Sequence, residues 1–220
     1  MLMNLFAEID VSKLFGLALR TSISVQAATF ALAAVGLNLH YGYTGLLNFG
    51  VVAFMAAGAY GMAIFFTQGW LGGSILLAIA SGVVFAVFIA LSIGLPSLRL
   101  RADYLALTTI AIAEVLRISF RSQRLLDFTG GPFGLPSIED RNANVSFADV
   151  ITVDWNPIKD GNYGAWFLEF DEKTLWVMII GWSLVSLASL LIWGLMRSPW
   201  GRVIKAIRED EDAARALGKN

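Results

Sequence analysis

Long apolar runs separated by short polar or glycine-rich breaks set the pattern of the chain. Residues 21–39, 46–67, 71–95, 102–120 and 174–196 form such runs. Each is close to the ~20 apolar residues that a helix needs to cross a bilayer. Ahead of them, residues 1–20 are mixed, with Leu5, Phe6, Ile9, Leu14 and Leu17 roughly on one face. They read as an amphipathic interfacial lead-in, and a frayed terminus fits them as well. The pattern predicts an all-α fold, a polytopic transmembrane bundle of about five spanning helices. Residues 197–220, the densely charged stretch behind the last run, predict a cytoplasmic amphipathic helix.

Polar and small residues inside the runs say which faces meet protein. Ser22, Ser24, Gln26 and Thr29 in the first run should face other helices rather than lipid. The second run carries Gly50, Ala53, Ala56, Ala57, Gly58, Ala59, Gly61 and Ala63, which let backbones approach closely and place it inside the bundle. Trp70 suits an interface anchor, and the third run ends at Pro96. Residues 21–120 thus hold transmembrane helices one to four, and 174–196 the fifth. Between them, 121–173 is far longer than an ordinary connection and is expected to be an extracytoplasmic loop. It contains TGGPFGLP, then acids interleaved with Trp155, Tyr163, Trp166, Phe167 and Phe170.

Composition agrees with a membrane protein. Hydrophobic residues make up 57% and charged residues 15%, against about 25% charged in soluble domains. Mean hydropathy is +0.67. The absence of cysteine removes disulfides, thiol catalysis and cysteine metal sites. The single histidine, His40, cannot hold a metal alone, and no cofactor is expected. The net charge of −1 is spread in blocks and points to no nucleic-acid partner. Glu8 and Asp10 come early and no basic region precedes the first run, so no cleavable signal is expected.

Topology follows from the basic residues. With 197–220 cytoplasmic, the long loop lies outside and Arg99 and Arg101 lie inside. Arg117, Arg121 and Arg124 then fall outside, against the trend. Five full crossings put Lys13 and Arg20 outside too. A re-entrant element near residues 40–50 would instead return the N-terminal segment to the cytoplasm, and both arrangements stay open.

Three constellations could carry function. In YGYTGLLNFG, Gly42, Gly45 and Gly50 permit non-helical backbone, a broken helix near 40–50. Inside a bilayer such backbone is tolerated only where it is buried in protein or lines a cavity. Thr44 and Asn48 would share a face if a helix began at Thr44, with Tyr43 beside them; an ordinary turn capped by Thr44 fits equally. The second is Glu114, about 18 Å along its helix from Ala102. A charge at that depth costs roughly 3 kcal/mol and should face the bundle interior, with Arg117 as its partner. The pair reads either as a packing salt bridge or as part of a solute path. The third is RSPWGRVIKAIREDEDAARALG. Ser198 suits an N-cap, Pro199 the first helical position and Gly218 the end. Arg202, Lys205 and Arg208 form a basic row beside an acidic block. An interfacial helix without a partner is the plain alternative.

Four blocks in order, GLNLHYGYTGLLNFGVVAFMAAGAY, LRLRADYLALTTIAIAEVLRI, DFTGGPFG and SPWGRVIKAIREDEDAARALG, resemble the permease subunits of branched-chain amino acid ABC transporters, in particular the LivM-like class. The resemblance covers most of residues 20–220 apart from 137–173. It implies a plasma-membrane importer subunit for branched-chain amino acids or related solutes such as amides or urea. It also implies separate ABC ATPase subunits, a second permease subunit and an extracytoplasmic substrate-binding protein as partners. In the family the last block is a coupling segment on the ATPase, which makes Gly201, Arg202, Ala206, Arg208, Glu209, Asp210, Ala213 and Ala214 the implied contacts. Tyr43, Thr44, Asn48 and Glu114 would belong to the substrate path. The chain departs from the family at Val51, where relatives commonly carry His or Gln. Relatives also continue into further transmembrane helices, so the chain resembles a C-terminally truncated permease.

The chain carries no GxxxxGK[ST] phosphate loop, so it is expected to have no catalytic residues and to leave ATP hydrolysis to a partner. The competing readings are a self-contained channel or secondary transporter, for which Glu114 and Asp103 are the candidate ionisable groups, and an inactive membrane fragment or scaffold.

Overall fold

The computed structural model describes residues 11–67, 75–97, 100, 102–134, 156–159, 161–164 and 168–210. Residues 1–10, Trp70, Arg99, Arg101, most of 135–167, Ala213, Ala214 and Gly218 lie outside them. Helices dominate the described residues: α1 (Val11–Ser22), α2 (Val25–Leu37), α3 (Val51–Thr67), α4 (Ile75–Ser97), α5 (Ala102–Phe120), the single turn α6 (Leu126–Thr129), α7 (Glu172–Arg197) and α8 (Pro199–Glu209). A two-residue hairpin pairs β1 (Asn162–Tyr163) with β2 (Phe170–Asp171), Asn162 opposite Asp171. The fold is a helical membrane bundle.

Of the described helices, α4 with 23 residues and α7 with 26 are long and apolar enough to cross a bilayer outright. The pair α1 and α2, extended through Tyr43, is apolar enough for a third but is bent by 49°, as in a broken span or a re-entrant loop. The bend has a local cause. Ser24 leaves helical geometry with ψ 165° and its hydroxyl caps Ala27 N–H at 3.3 Å. The hydroxyls of Thr21 and Ser22 turn back onto Leu17 and Leu19 carbonyls. Helix α3 is apolar but shorter, and α5 carries Asp103, Glu114 and Arg117, which lower its apolar character.

Small residues bring α3 and α4 together as expected. A Cβ at Gly82 would stand 2.7 Å from Gly58 O, and one at Gly61 would stand 2.7 Å from Phe85 Cβ. Ala53 and Ala57 are buried, and Ser81 Oγ also reaches Gly61 O at 3.3 Å. Helix α4 runs through Pro96 to Ser97, one residue beyond the predicted stop. Proline in a last turn removes only one helical bond.

The helix directions come from contacts at the two ends. Trp182 Nε1 on α7 donates to Ile23 O at 3.0 Å, and Arg20 lies over the Phe170 ring at 5.5 Å. At the far end of the same helices, Tyr43 and Gly42 meet α8. Helices α2 and α7 therefore run in the same direction, and α1 sits at the hairpin end of the bundle. Contact of α3 with α4 at Gly58–Ala86 and Gly61–Gly82 makes those two antiparallel. Tyr60 stacks on Phe120 at 4.4 Å and Phe49 meets Thr109, so α3 and α5 are parallel.

The chain turns sharply from α7 into α8. Ser198 caps the new helix, accepting from Gly201 N at 3.4 Å, and Pro199 occupies its first turn. A Cβ on Gly201 would stand 2.5 Å from Met196 Cα, so only glycine allows this close approach. The helix ends at Glu209, where Asp210 is extended with φ −154°, and the predicted end at Gly218 lies outside the described residues.

Candidate functional site

The break predicted near residues 40–50 is a π-helical turn, Asn38–Tyr43, followed by irregular backbone to Gly50. Wider π turns inside α-helices are frequent at functional sites. Thr44 closes this one: its hydroxyl donates to His40 O, and its N–H points at the His40 and Tyr41 carbonyls. Gly45 then adopts the left-handed conformation, φ 74°, and returns its N–H to Tyr41 O at 3.2 Å. Asn48 Oδ1 accepts from Gly50 N at 2.8 Å and so prepares the start of α3. Because the helix begins at Val51, Thr44 and Asn48 share no helix face. Asn48 closes a local turn onto Gly50 just ahead of α3, while Thr44 terminates the preceding turn.

Phe49, between these groups, reaches into the bundle. Its N–H donates to Thr109 Oγ1 at 3.1 Å, and Thr109 is 2% exposed. Thr109 Oγ1 in turn donates to Ala106 O at 2.9 Å. Thr109 lies seven residues after Ala102, about 10 Å along α5. The irregular segment therefore enters the bundle to that depth instead of turning at its surface.

Beyond Phe49 an open cavity of about 780 Å³ extends between α3 and α5 toward the loop end. Phe49, Val52, Ala53, Ala56, Tyr60 and Ile110 give it apolar walls, and Glu114 and Arg117 give it charge. The two side chains form a bidentate pair, Arg117 Nη2 to Glu114 Oε1 at 2.6 Å and Arg117 Nε to Oε2 at 2.8 Å. Both are about half exposed, 54% for Arg117 and 51% for Glu114. Pairing neutralises the charge while leaving hydrogen-bonding capacity in the cavity.

The lip is made by the glycine turn of TGGP. Buried Thr129 places its hydroxyl 2.7 Å from Phe120 O and 3.0 Å from Leu125 O, and accepts from Gly131 N at 3.3 Å. Gly130 (φ 69°) and Gly131 (φ 55°) take left-handed conformations that fold Pro132 over the cavity. This latch was not recognised in the sequence, although the glycine pair was its signal.

Of the predicted path residues, Glu114 lines the cavity; Tyr43, Thr44 and Asn48 do not and instead shape the break beside it. Phe49 and Thr109 were missed, because a threonine in an apolar helix can equally bond back to its own turn.

On α8, Gly201 is buried and Arg202, Ala206, Arg208, Glu209 and Asp210 are exposed. At helical spacing, Arg202, Ala206 and Glu209 form one exposed face. Gly201, Lys205 and Arg208 form another, turned toward the chain itself: Arg208 Nη1 donates to Gly42 O, and Lys205 Nζ lies 5.7 Å from the Tyr43 ring centre.

Residues 19–220 match the family described as branched-chain amino acid transport system / permease component. The chain is 31% identical over 203 residues to the high-affinity branched-chain amino acid transport system permease protein LivM of Escherichia coli (strain K12), covering 89% of the chain and 45% of that relative. The LivM protein of Salmonella typhimurium is 32% identical, with 90% and 46% covered. A probable branched-chain amino acid transport permease protein LivM of Methanocaldococcus jannaschii is 25% identical, with 87% and 57% covered. The chain thus spans about half the length of the curated relatives it matches. No solved structure gives a significant match.

Proposed function

We propose a function from one established premise: the chain belongs to the branched-chain amino acid transport permease family. We read it as a multi-pass permease subunit of an ATP-binding-cassette importer in a bacterial-type cytoplasmic membrane. Solute arrives from an extracytoplasmic binding protein at the end bearing residues 121–171. ATP is hydrolysed by separate subunits that seat on α8, and a second permease subunit completes the path.

The observation that carries this reading is the cavity with its ion pair. An α-amino acid presents an ammonium, a carboxylate and, in the branched class, an aliphatic side chain. Glu114 accepts from the ammonium, Arg117 donates to the carboxylate, and Phe49, Val52, Ala53 and Ile110 receive the side chain. Exchange of one ion pair for two charge-assisted contacts keeps the charge balanced throughout. Amides and urea lack the ammonium–carboxylate pair and fit these walls less well.

The test uses the chain assembled with its transporter partners and one cysteine, Ala113→Cys, at the cavity wall. Saturating leucine should slow its maleimide labelling about tenfold, the scale of a charge-assisted contact. Urea should not. Equal labelling with and without leucine would contradict the reading.

A further inference from the structure

We propose that Arg208 is a positioning residue that works inside this chain, tethering α8 to the broken helix, and is not part of the face that meets the ATPase. The consequence for transport rests on the reading above; the tether itself rests on geometry alone.

The end of a helix leaves carbonyls without partners. At the π turn, His40 and Tyr41 carbonyls receive N–H groups from Thr44, Gly45 and Leu46. The next carbonyl, Gly42 O, receives Arg208 Nη1. A helix C-terminus carries partial negative charge, and α8 brings two cations to it, Arg208 at Gly42 and Lys205 at Tyr43. The fit is close as well. A Cβ at Gly45 would stand 3.1 Å from Arg208 Cγ, and Gly45 is already left-handed, so a larger residue there meets both strain and side chain.

From this anchor a continuous set of contacts reaches the cavity. The break holds Phe49, Phe49 N–H holds Thr109, and Thr109 shares α5 with Glu114. A displacement of α8 is therefore carried through the break to Phe49 and, by its hydrogen bond, to the helix of the ion pair. Arg202, Ala206 and Glu209 point about 100–160° away from Arg208 around the helix and are left for a docking partner.

The chain's lack of cysteine makes the tether measurable in the assembled, membrane-embedded protein. Leu46→Cys reports the break, and Ser183→Cys on α7 serves as control. Arg208→Ala should raise maleimide labelling at position 46 about fivefold, the scale of one exposed charge-assisted bond, and leave position 183 unchanged. Arg208→Lys keeps a cationic donor and should stay near wild type. In the same preparations Arg208→Ala should retain the ATPase subunit, whereas Arg202→Ala with Glu209→Ala should release it. Unchanged labelling in Arg208→Ala, or loss of the ATPase in that variant, overturns the proposal. If the unaltered protein holds no ATPase, the importer reading fails and the labelling result alone decides the tether.

Discussion

Thr109 joins the two parts of the site, since its hydroxyl accepts Phe49 N–H while donating to its own helix. Replacing it with valine keeps the shape and removes the acceptor of the part-buried Phe49 N–H, a loss of about 1 kcal/mol. Thr109→Val should therefore lower the denaturation midpoint of the detergent-solubilised protein, and Thr109→Ser should restore most of it. A valine variant as stable as wild type would show that Phe49 finds another partner. Such pairings are hard to see in a sequence because they join residues far apart in the chain. Glu114 was legible because a carboxylate within an apolar run demands a reason. Ser198 and Pro199 were legible too, since capping requirements are local, whereas the close approach of Gly201 to Met196 was not foreseen. The roles of Thr44 and Asn48 were not: their polarity showed, but the starting point of α3 decided what each one bonds.

The apolar runs gave the helices nearly in place, with differences confined to their ends. Helix direction was the open question in the sequence, since a re-entrant break and a full crossing predict opposite sides for Lys13. The contacts of α2 with α7 favour a full crossing: Arg20 and Ile23 lie with Phe170 and Trp182, and Tyr43 lies with Lys205. Single cysteines at Lys13 and Lys205 should accordingly label from opposite faces of sealed vesicles with a membrane-impermeant maleimide. Labelling of both from one face would restore the re-entrant arrangement.

At the scale of the whole molecule, α2, α7 and α8 form one layer and α3, α4 and α5 another. The break between α2 and α3 connects them. That arrangement puts the cavity in the second layer and the amphipathic helix under the first, with Gly42, Phe49 and Thr109 between. The sequence located each constellation but not this linkage, which depends on how two helix sets pack. The family match sets the proposed roles of the linkage and the cavity in transport. The most direct measurement is ATP-driven uptake of labelled leucine by the assembled transporter carrying Glu114→Gln. Glutamine keeps the volume and removes the charge that would receive the ammonium. Uptake should fall about tenfold or more, while copurification of the partner subunits stays at the wild-type level. Wild-type uptake, or an equal loss of uptake and assembly, would contradict a substrate role for the cavity and leave the pair as a packing element.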